Sequence, residues 1–377
     1  MIVNRTIMKI FNLFVLSFLF VNIAIAQVTP TNVQAGLAIE TGGINDLYKE
    51  KKAVLYDIMS STEGDPIWWD YLFTGFTSKY KATSLLEAKK VFGPMVLEYI
   101  HNYIFAKSNI QFTDEDVFTL SDALISNNGK FTFDCDASSF VYIEALESKF
   151  TTSNMPVVIL DCPEYKDYVS GHTLIRWKYD DVNYLDWETE KGVPASTDDT
   201  NGRYKNNCRE ITVDSNTFLA LFHINRGNKE LSLEKHSEAT TDYDKAIKLD
   251  PDAITAYENR GTIKALSGGT VNLKAAILDY SNAIDASVRL KLKISERVYL
   301  NRGSAKKELG LYKQALADYD IVINANLGSK APYVANAYYN RGFVKKMLKE
   351  PVGAKKDYDE AVKRDASIKD NLDDYTK

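Results

Sequence analysis

Soft metal ligands are scarce: 377 residues hold four histidines and three cysteines, and no CxxC or HxxxH spacing joins any of them. That set is too sparse for a structural zinc site and too small for a disulfide scaffold. No metal and no cofactor is implied. Positive charge is not in surplus either. The chain has 46 Lys and Arg against 51 Asp and Glu, a formal charge of −5. It lacks the excess cation that neutralises phosphates, so nucleic acid is not expected as a partner. Nine prolines and 19 glycines exclude a collagen-like chain. Beyond residue 26 no run is long and apolar enough to cross a bilayer. What remains is ordinary for a folded protein: 45% hydrophobic, 26% charged and 12% aromatic. The length suits two or three domains at roughly 150 residues each.

The N-terminal segment reads as an export signal. Arg5 and Lys9 precede an almost wholly apolar run from Ile10 to Ile25, interrupted by Asn12, Ser17 and Asn22. Ala24-Ile25-Ala26 has the small-x-small pattern of a cleavage site, so Gln27 is expected to begin the mature chain. The run falls short of the roughly 20 residues of a membrane span, and no cysteine follows Ala26 to carry a lipid. Residues 1–26 are therefore expected to direct a periplasmic or extracellular protein that meets the membrane only through this segment. Cleavage leaves a formal charge of −7, because Arg5 and Lys9 are lost.

The last third repeats itself. Asn225-Arg226-Gly227 recurs at 259–261, 301–303 and 340–342, with glycine spacings of 34, 42 and 39. Asp242-Tyr243, Asp279-Tyr280, Asp318-Tyr319 and Asp357-Tyr358 follow the glycines at 15, 18, 15 and 15 residues. The second unit's three extra residues fall at Ser267-Gly268-Gly269. Small residues flank each tyrosine: Ala239 and Ala246, Ala276 and Ala283, Ala315 with Val322, Ala354 and Ala361. Pro251 closes the first unit. This pattern resembles the tetratricopeptide repeat. A helix pair cannot bury its apolar face alone, so neighbouring pairs stack into one core. The resemblance implies an all-α superhelix of four repeats over 216–377, whose groove binds a protein or peptide. A rigid spacer is the plainer alternative. Arg226, Arg260, Arg302 and Arg341 could line the groove for acidic peptides or pair with Asp242, Asp279, Asp318 and Asp357; pairing is preferred.

Between residues 131 and 189 the texture changes. Asp134, Asp136 and Ser138 are helix-capping types, and Phe140 to Leu146 has helical apolar spacing. Cys135 is thus expected at or just before a helix N-terminus. The helix dipole there favours a thiolate, while the two flanking carboxylates oppose it. Residues 156–160, 170–179 and 184–189 read as strands. His172, Leu174 and Arg176 share one strand face. Asp186 shares it only if the paired residue numbers of the hairpin sum to an even value.

The order Cys135, His172, Asp186, on a helix and then a strand pair, resembles the transglutaminase-like superfamily of papain-type cysteine enzymes. Gly171-His172 before an aliphatic strand and Leu185-Asp186-Trp187-Glu188 on the next are also similar. The resemblance covers about residues 115–215 and implies an α+β papain-like core. It implies Cys135 as nucleophile, His172 as its general base and Asp186 as orienter of the imidazole, with Glu188 in reserve. The reaction would be amide hydrolysis or acyl transfer, and the Cys135 N–H could serve an oxyanion hole. The alternative is a non-catalytic interaction scaffold that keeps the fold without the chemistry. In an exported protein an odd cysteine count suggests one bridge and one free thiol, paired here as Cys162 with Cys208, leaving Cys135 free.

Residues 27–114 form a helical N-terminal region. Residues 27–45 read as a loose lead-in and 46–60 as a helix. Gly64-Asp65-Pro66 is a break, Trp68-Trp69 could line a substrate cleft or belong to a core, with core preferred, and 85–105 is a helix interrupted at Gly93-Pro94. Residues 192–202 mark a solvated loop that could border a cleft.

Overall fold

The computed structural model describes residues 31–60, 85–102, 110–112, 119–128, 130–147, 157–162, 172–179, 182–196, 207–326 and 332–368. The export segment, Gly64-Asp65-Pro66 and Trp68-Trp69 lie outside these residues. The chain divides into two compact units. The first takes the residues before 160 with 173–195 and 211–222; the second takes 160–172, 196–210 and everything from 223.

The first unit begins with helices α1 (Asn32–Glu40), α2 (Asp46–Ser60) and α3 (Leu85–Ile100). Strand β1 (Ile110–Phe112), helix α4 (Leu120–Ala123), strand β2 (Phe131–Phe133) and helix α5 (Cys135–Glu147) follow. Then come β3 (Val157–Cys162), β4 (His172–Lys178), β5 (Tyr184–Glu188), β6 (Val193–Pro194) and β7 (Arg209–Ile211). β1 and β2 pair in parallel. The other strands form a five-stranded sheet in the order β6-β5-β4-β3-β7.

Two expectations are corrected here. The lead-in at 27–45 contains α1, because tertiary contacts supply what its sequence lacks. Thr31 caps it, its hydroxyl accepting from the Gln34 N–H at 3.1 Å, and Val33 and Leu37 are fully buried. Glu147, at the end of α5, accepts from the Asn32 backbone N–H at 3.1 Å and its amide at 2.7 Å. Glu144 accepts from the Thr31 hydroxyl at 2.5 Å and the Gln34 amide at 2.7 Å. The positive end of α1 thus sits on two carboxylates. Nor do Gly93 and Pro94 interrupt the second helix: both lie inside α3. A Cβ on Gly93 would stand 2.6 Å from Trp177 Nε1, so the glycine is the notch that lets α3 close on β4.

The core of this unit lies between its helices and one face of the sheet. Val96, Leu97 and Ile100 of α3 and Phe140, Val141 and Ile143 of α5 pack with Ile175 and Trp177 of β4 and Trp187 of β5. Trp187 Nε1 donates to the Tyr142 hydroxyl of α5 at 3.2 Å.

The second unit carries the repeats. After α6 (Asn216–Ser232), whose first turns belong to the first unit, come α7 (His236–Leu249), α8 (Ile254–Ser267), α9 (Gly269–Leu290) and α10 (Glu296–Glu308). α11 (Tyr312–Ala325), α12 (Pro332–Met347) and α13 (Pro351–Arg364) complete it. The extra residues of the second unit fall at the α8–α9 turn, where Gly268 and Gly269 have φ of 62° and 77°. The recurring glycine and tyrosine are two halves of one contact. A Cβ on Gly227, Gly261, Gly303 or Gly342 would come within 2.7–3.0 Å of the ring of Tyr243, Tyr280, Tyr319 or Tyr358. Cys162 and Cys208 are joined with their Cα atoms 4.1 Å apart. Beside the bridge, Arg209 grips Asp250 through two hydrogen bonds of 2.5 and 3.0 Å.

The recurring arginine and aspartate also answer each other. Arg302 donates from Nε and Nη2 to the two oxygens of Asp318 at 3.1 and 2.7 Å. Arg226 with Asp242, Arg260 with Asp279 and Arg341 with Asp357 repeat this fork. In units two to four a lysine one turn later adds a second cation, from Lys264, Lys306 and Lys345 at 2.7, 2.7 and 2.8 Å. In the first unit that position is Glu230, and His223 Nδ1 takes its place 2.9 Å from Asp242. Burial pushes the Asp242 carboxyl up, but the hydrogen bonds to His223 and Arg226 prevail and hold it below its ordinary range.

A third atom of the arginine links successive units. Arg260 Nη1 reaches Asp244 at 2.5 Å and Arg341 Nη1 reaches Asp320 at 2.7 Å. At the equivalent place Arg302 Nη1 meets the Ser281 hydroxyl at 3.1 Å. Ser281→Asp should therefore supply the carboxylate its sister units have and stabilise the array by about 0.5–1 kcal/mol. A urea midpoint raised with an unchanged slope is the expected reading; an unchanged or lower midpoint contradicts it.

Candidate functional site

Cys135 is the first residue of α5. Asp134 caps the helix: its Oδ1 accepts from the Ala137 N–H at 2.9 Å and its carbonyl from the Ser138 N–H at 3.0 Å. The thiol is free and half-buried, and Sγ lies 3.9 Å from Asp136 Oδ1, to which it donates. Burial pushes this thiol well above its ordinary range; Asp136, Asp134 and Glu190 push it further, and the Thr173 backbone only partly offsets them. The helix N-terminus favours a thiolate, against the upward push of burial and the three carboxylates.

The hairpin register pairs Arg176 with Asp186 and Ile175 with Trp187, an even sum. Asp186 thus shares a face with Leu174 and Arg176, and by alternation with His172 at the head of β4. Its carboxylate is held by the guanidinium beside it. Arg176 Nε and Nη2 donate to its two oxygens at 2.6 and 2.9 Å, with the guanidinium 3.6 Å above the Tyr184 ring.

Helix α5 covers the other face. Trp187 bonds Tyr142 there, and the Thr189 hydroxyl shares hydrogen bonds with Ser138 at 2.7 Å and Ser139 at 3.2 Å. By alternation Arg176 and Asp186, which pair across the ladder, lie on the opposite face from Ile175 and Trp187. The structure brings Asp186 to Arg176.

One histidine on the α5 side escaped the sequence reading. His101, just past α3, hydrogen-bonds the Thr189 backbone, and burial lowers its pKa. Its ring stacks on Phe112 with centroids 6.0 Å apart and fills the space a Cβ on Gly192 would take, 2.2 Å away. Only the chain's return at Gly192, invisible in local pattern, marks it. Among the described residues no group of three or more His, Cys, Asp or Glu could hold a metal ion.

The other candidate surface belongs to the repeats. The four recurrent arginines are committed to aspartates, so they do not constitute a cationic groove. The first helices of successive units nonetheless stand side by side. Asn259 of α8 donates to Asn228 of α6 at 2.8 Å, α8 touches α10, and Lys307 of α10 donates to Asn340 of α12 at 2.8 Å. Their outer positions form one continuous face.

A family model described as a TPR repeat matches residues 227–268. No curated protein matches the chain. Among solved structures, it is similar to MamA 41-end from Desulfovibrio magneticus RS-1, at 16% identity over 39% of this chain and 76% of that one, TM-score 0.33. It is similar to YrrB, described as a TPR protein with an unusual peptide-binding site, at 20% identity over 39% and 87%, TM-score 0.28. It is also similar to the Arabidopsis OM64 TPR domain, at 23% identity over 35% and 98%, TM-score 0.30. Residues 227–268 thus match a tetratricopeptide repeat, and the helix pairs after them repeat its glycine–tyrosine contact.

Proposed function

We propose that the protein is an exported interaction scaffold, in which the tetratricopeptide array binds a protein or peptide and the α+β unit is a transglutaminase-like fold without catalytic chemistry. What supports this reading is the setting of Cys135 and Asp186: burial and three carboxylates push the Cys135 thiol upward, and the Asp186 carboxylate is held through both oxygens by Arg176. The continuous face of α6, α8, α10 and α12 supports the binding role. The Cys162–Cys208 bridge and the apolar N-terminal segment support export.

A second reading, a cysteine hydrolase or acyltransferase, draws on one specific observation: Cys135 stands at the first position of α5 with the Thr173 backbone beside its sulfur. In it Cys135 attacks an amide carbonyl, His172 takes the thiol proton, and Asp186 or Glu188 orients the ring. Protein recovered from its native host tests the two. The scaffold reading expects Gln27 at the mature N-terminus and the same co-purifying partners, in the same amounts, for Cys135→Ala as for the wild-type chain. An intact Met1 contradicts export. Partners trapped only by the cysteine form, as thioesters, contradict the scaffold.

A further inference from the structure

Asp250 organises the turn between the first two repeats. Its N–H closes α7 on the Ala246 carbonyl at 2.8 Å, its own carbonyl accepts from the Ala253 N–H at 3.1 Å, and its Oδ1 accepts from the Asp252 N–H at 3.1 Å. The residue is 5% exposed, and a carboxylate so buried calls for a cation. Arg209 supplies one through both oxygens, and it comes from outside the helix pair. Arg209 follows Cys208, which the bridge ties to Cys162, 46 positions earlier. Asp161, beside Cys162, faces the same guanidinium: burial pushes its carboxyl up to about 6, Arg209 draws it down and Asp250 raises it. The two cysteines thus have, as chain neighbours, two members of one ionic cluster, Asp161, Arg209 and Asp250; Asp252 also acts on the guanidinium. All these residues belong to the second unit. β7, which begins at Arg209, is three residues long and lies at an edge of the sheet.

We infer that the Cys162–Cys208 bridge is a redox latch on this turn: closed, it holds Arg209 on Asp250, and opened by a dithiol reductant it frees the turn while the later repeats stay folded. A thiolate of the reductant attacks the Cys208 sulfur, which is half-buried where Cys162 is 0% exposed. The S–S bond breaks, and Cys162 leaves with the electron pair and takes a proton. The reductant's second thiol then displaces Cys208, which takes the other proton. Two electrons have passed to the protein, and the reductant has become a disulfide. Opening returns conformational freedom to a segment whose ends the bridge had joined. A three-residue edge strand is a weak substitute for that bond. Without its guanidinium, the buried Asp250 carboxylate favours a solvated, open turn. The effect stays local because each repeat contacts only its neighbours. In an oxidising compartment, where export would place the chain, the latch is closed. The inference is independent of what the array binds.

Hydrogen exchange of the full-length protein, read by mass spectrometry before and after dithiothreitol, tests this. Reduction should speed exchange at residues 246–257 by about tenfold or more and leave α10 to α13 unchanged. Arg209→Gln with the bridge intact should speed exchange at 246–257 to a similar extent. Reducing that variant should add less than about threefold, because bridge and arginine act through one contact. Cys162→Ala with Cys208→Ala should match the reduced wild-type chain with no reductant present, which separates opening of the bridge from other effects of dithiothreitol. Unchanged exchange at 246–257 on reduction overturns the latch. So does a full further acceleration on reducing Arg209→Gln, because bridge and arginine would then act separately. Acceleration spread evenly over α10 to α13 overturns it too, making the bridge a staple for the whole unit.

Discussion

Asp318→Ala should destabilise the repeat array by about 3–5 kcal/mol, the cost of removing one partner from a buried ionic cluster. Asp318 is 2% exposed and receives Arg302 through both oxygens and Lys306 through one. Its loss leaves two largely buried cations facing each other beside a helix crossing without their shared carboxylate. A urea midpoint lowered in proportion, read by helical circular dichroism, is the expected outcome. Because the penalty comes from unpaired charge, replacing Arg302 and Lys306 by Met in the same chain should recover most of it. An Asp318→Ala loss below about 1 kcal/mol would mean the cluster is a solvated surface feature.

The same contacts explain why the repeats could be read from the sequence. Gly303 must lie under the Tyr319 ring, and Arg302 must reach Asp318, in every helix pair built this way. Each requirement therefore leaves a residue at a fixed spacing. Even the choice between groove and ion pair for Arg226, Arg260, Arg302 and Arg341 was open to reasoning from spacing, and pairing is what the structure has. The strand readings at 156–160, an unbroken apolar run, and at 170–179 and 184–189 coincide with β3, β4 and β5 within two residues at each end.

What local pattern could not reveal depends on distant parts of the chain. α1 forms because Glu144 and Glu147, more than a hundred residues away, meet its N-terminus. Gly93 and Pro94 resemble a break, yet Trp177 requires the glycine inside a continuous helix. Strand alternation correctly grouped His172, Leu174 and Arg176 and supplied the condition that brought in Asp186. It carried no information on which side α5 would pack. Arg176, on that same face, takes both oxygens of the Asp186 carboxylate, a pairing that only the hairpin register reveals.

The state of the sulfur decides between scaffold and enzyme, and its reactivity follows from its surroundings with a definite sign. Only the thiolate is nucleophilic. Burial first, then Asp136, Asp134 and Glu190, disfavour that anion, so the folded protein should hold less thiolate at neutral pH than an unfolded cysteine does. Removing one of these charges moves it the other way: Asp136→Asn should speed alkylation, because the carboxylate nearest the sulfur is gone.

The most direct measurement is the alkylation rate of Cys135 by limiting iodoacetamide in the native protein, followed from about pH 6 to 9. The predicted profile climbs without a plateau, lies about tenfold or more below an unfolded-chain cysteine at neutral pH, and is the same in His172→Ala. A plateau reached near neutrality and abolished by His172→Ala would reveal a thiolate–imidazolium pair and would contradict the scaffold.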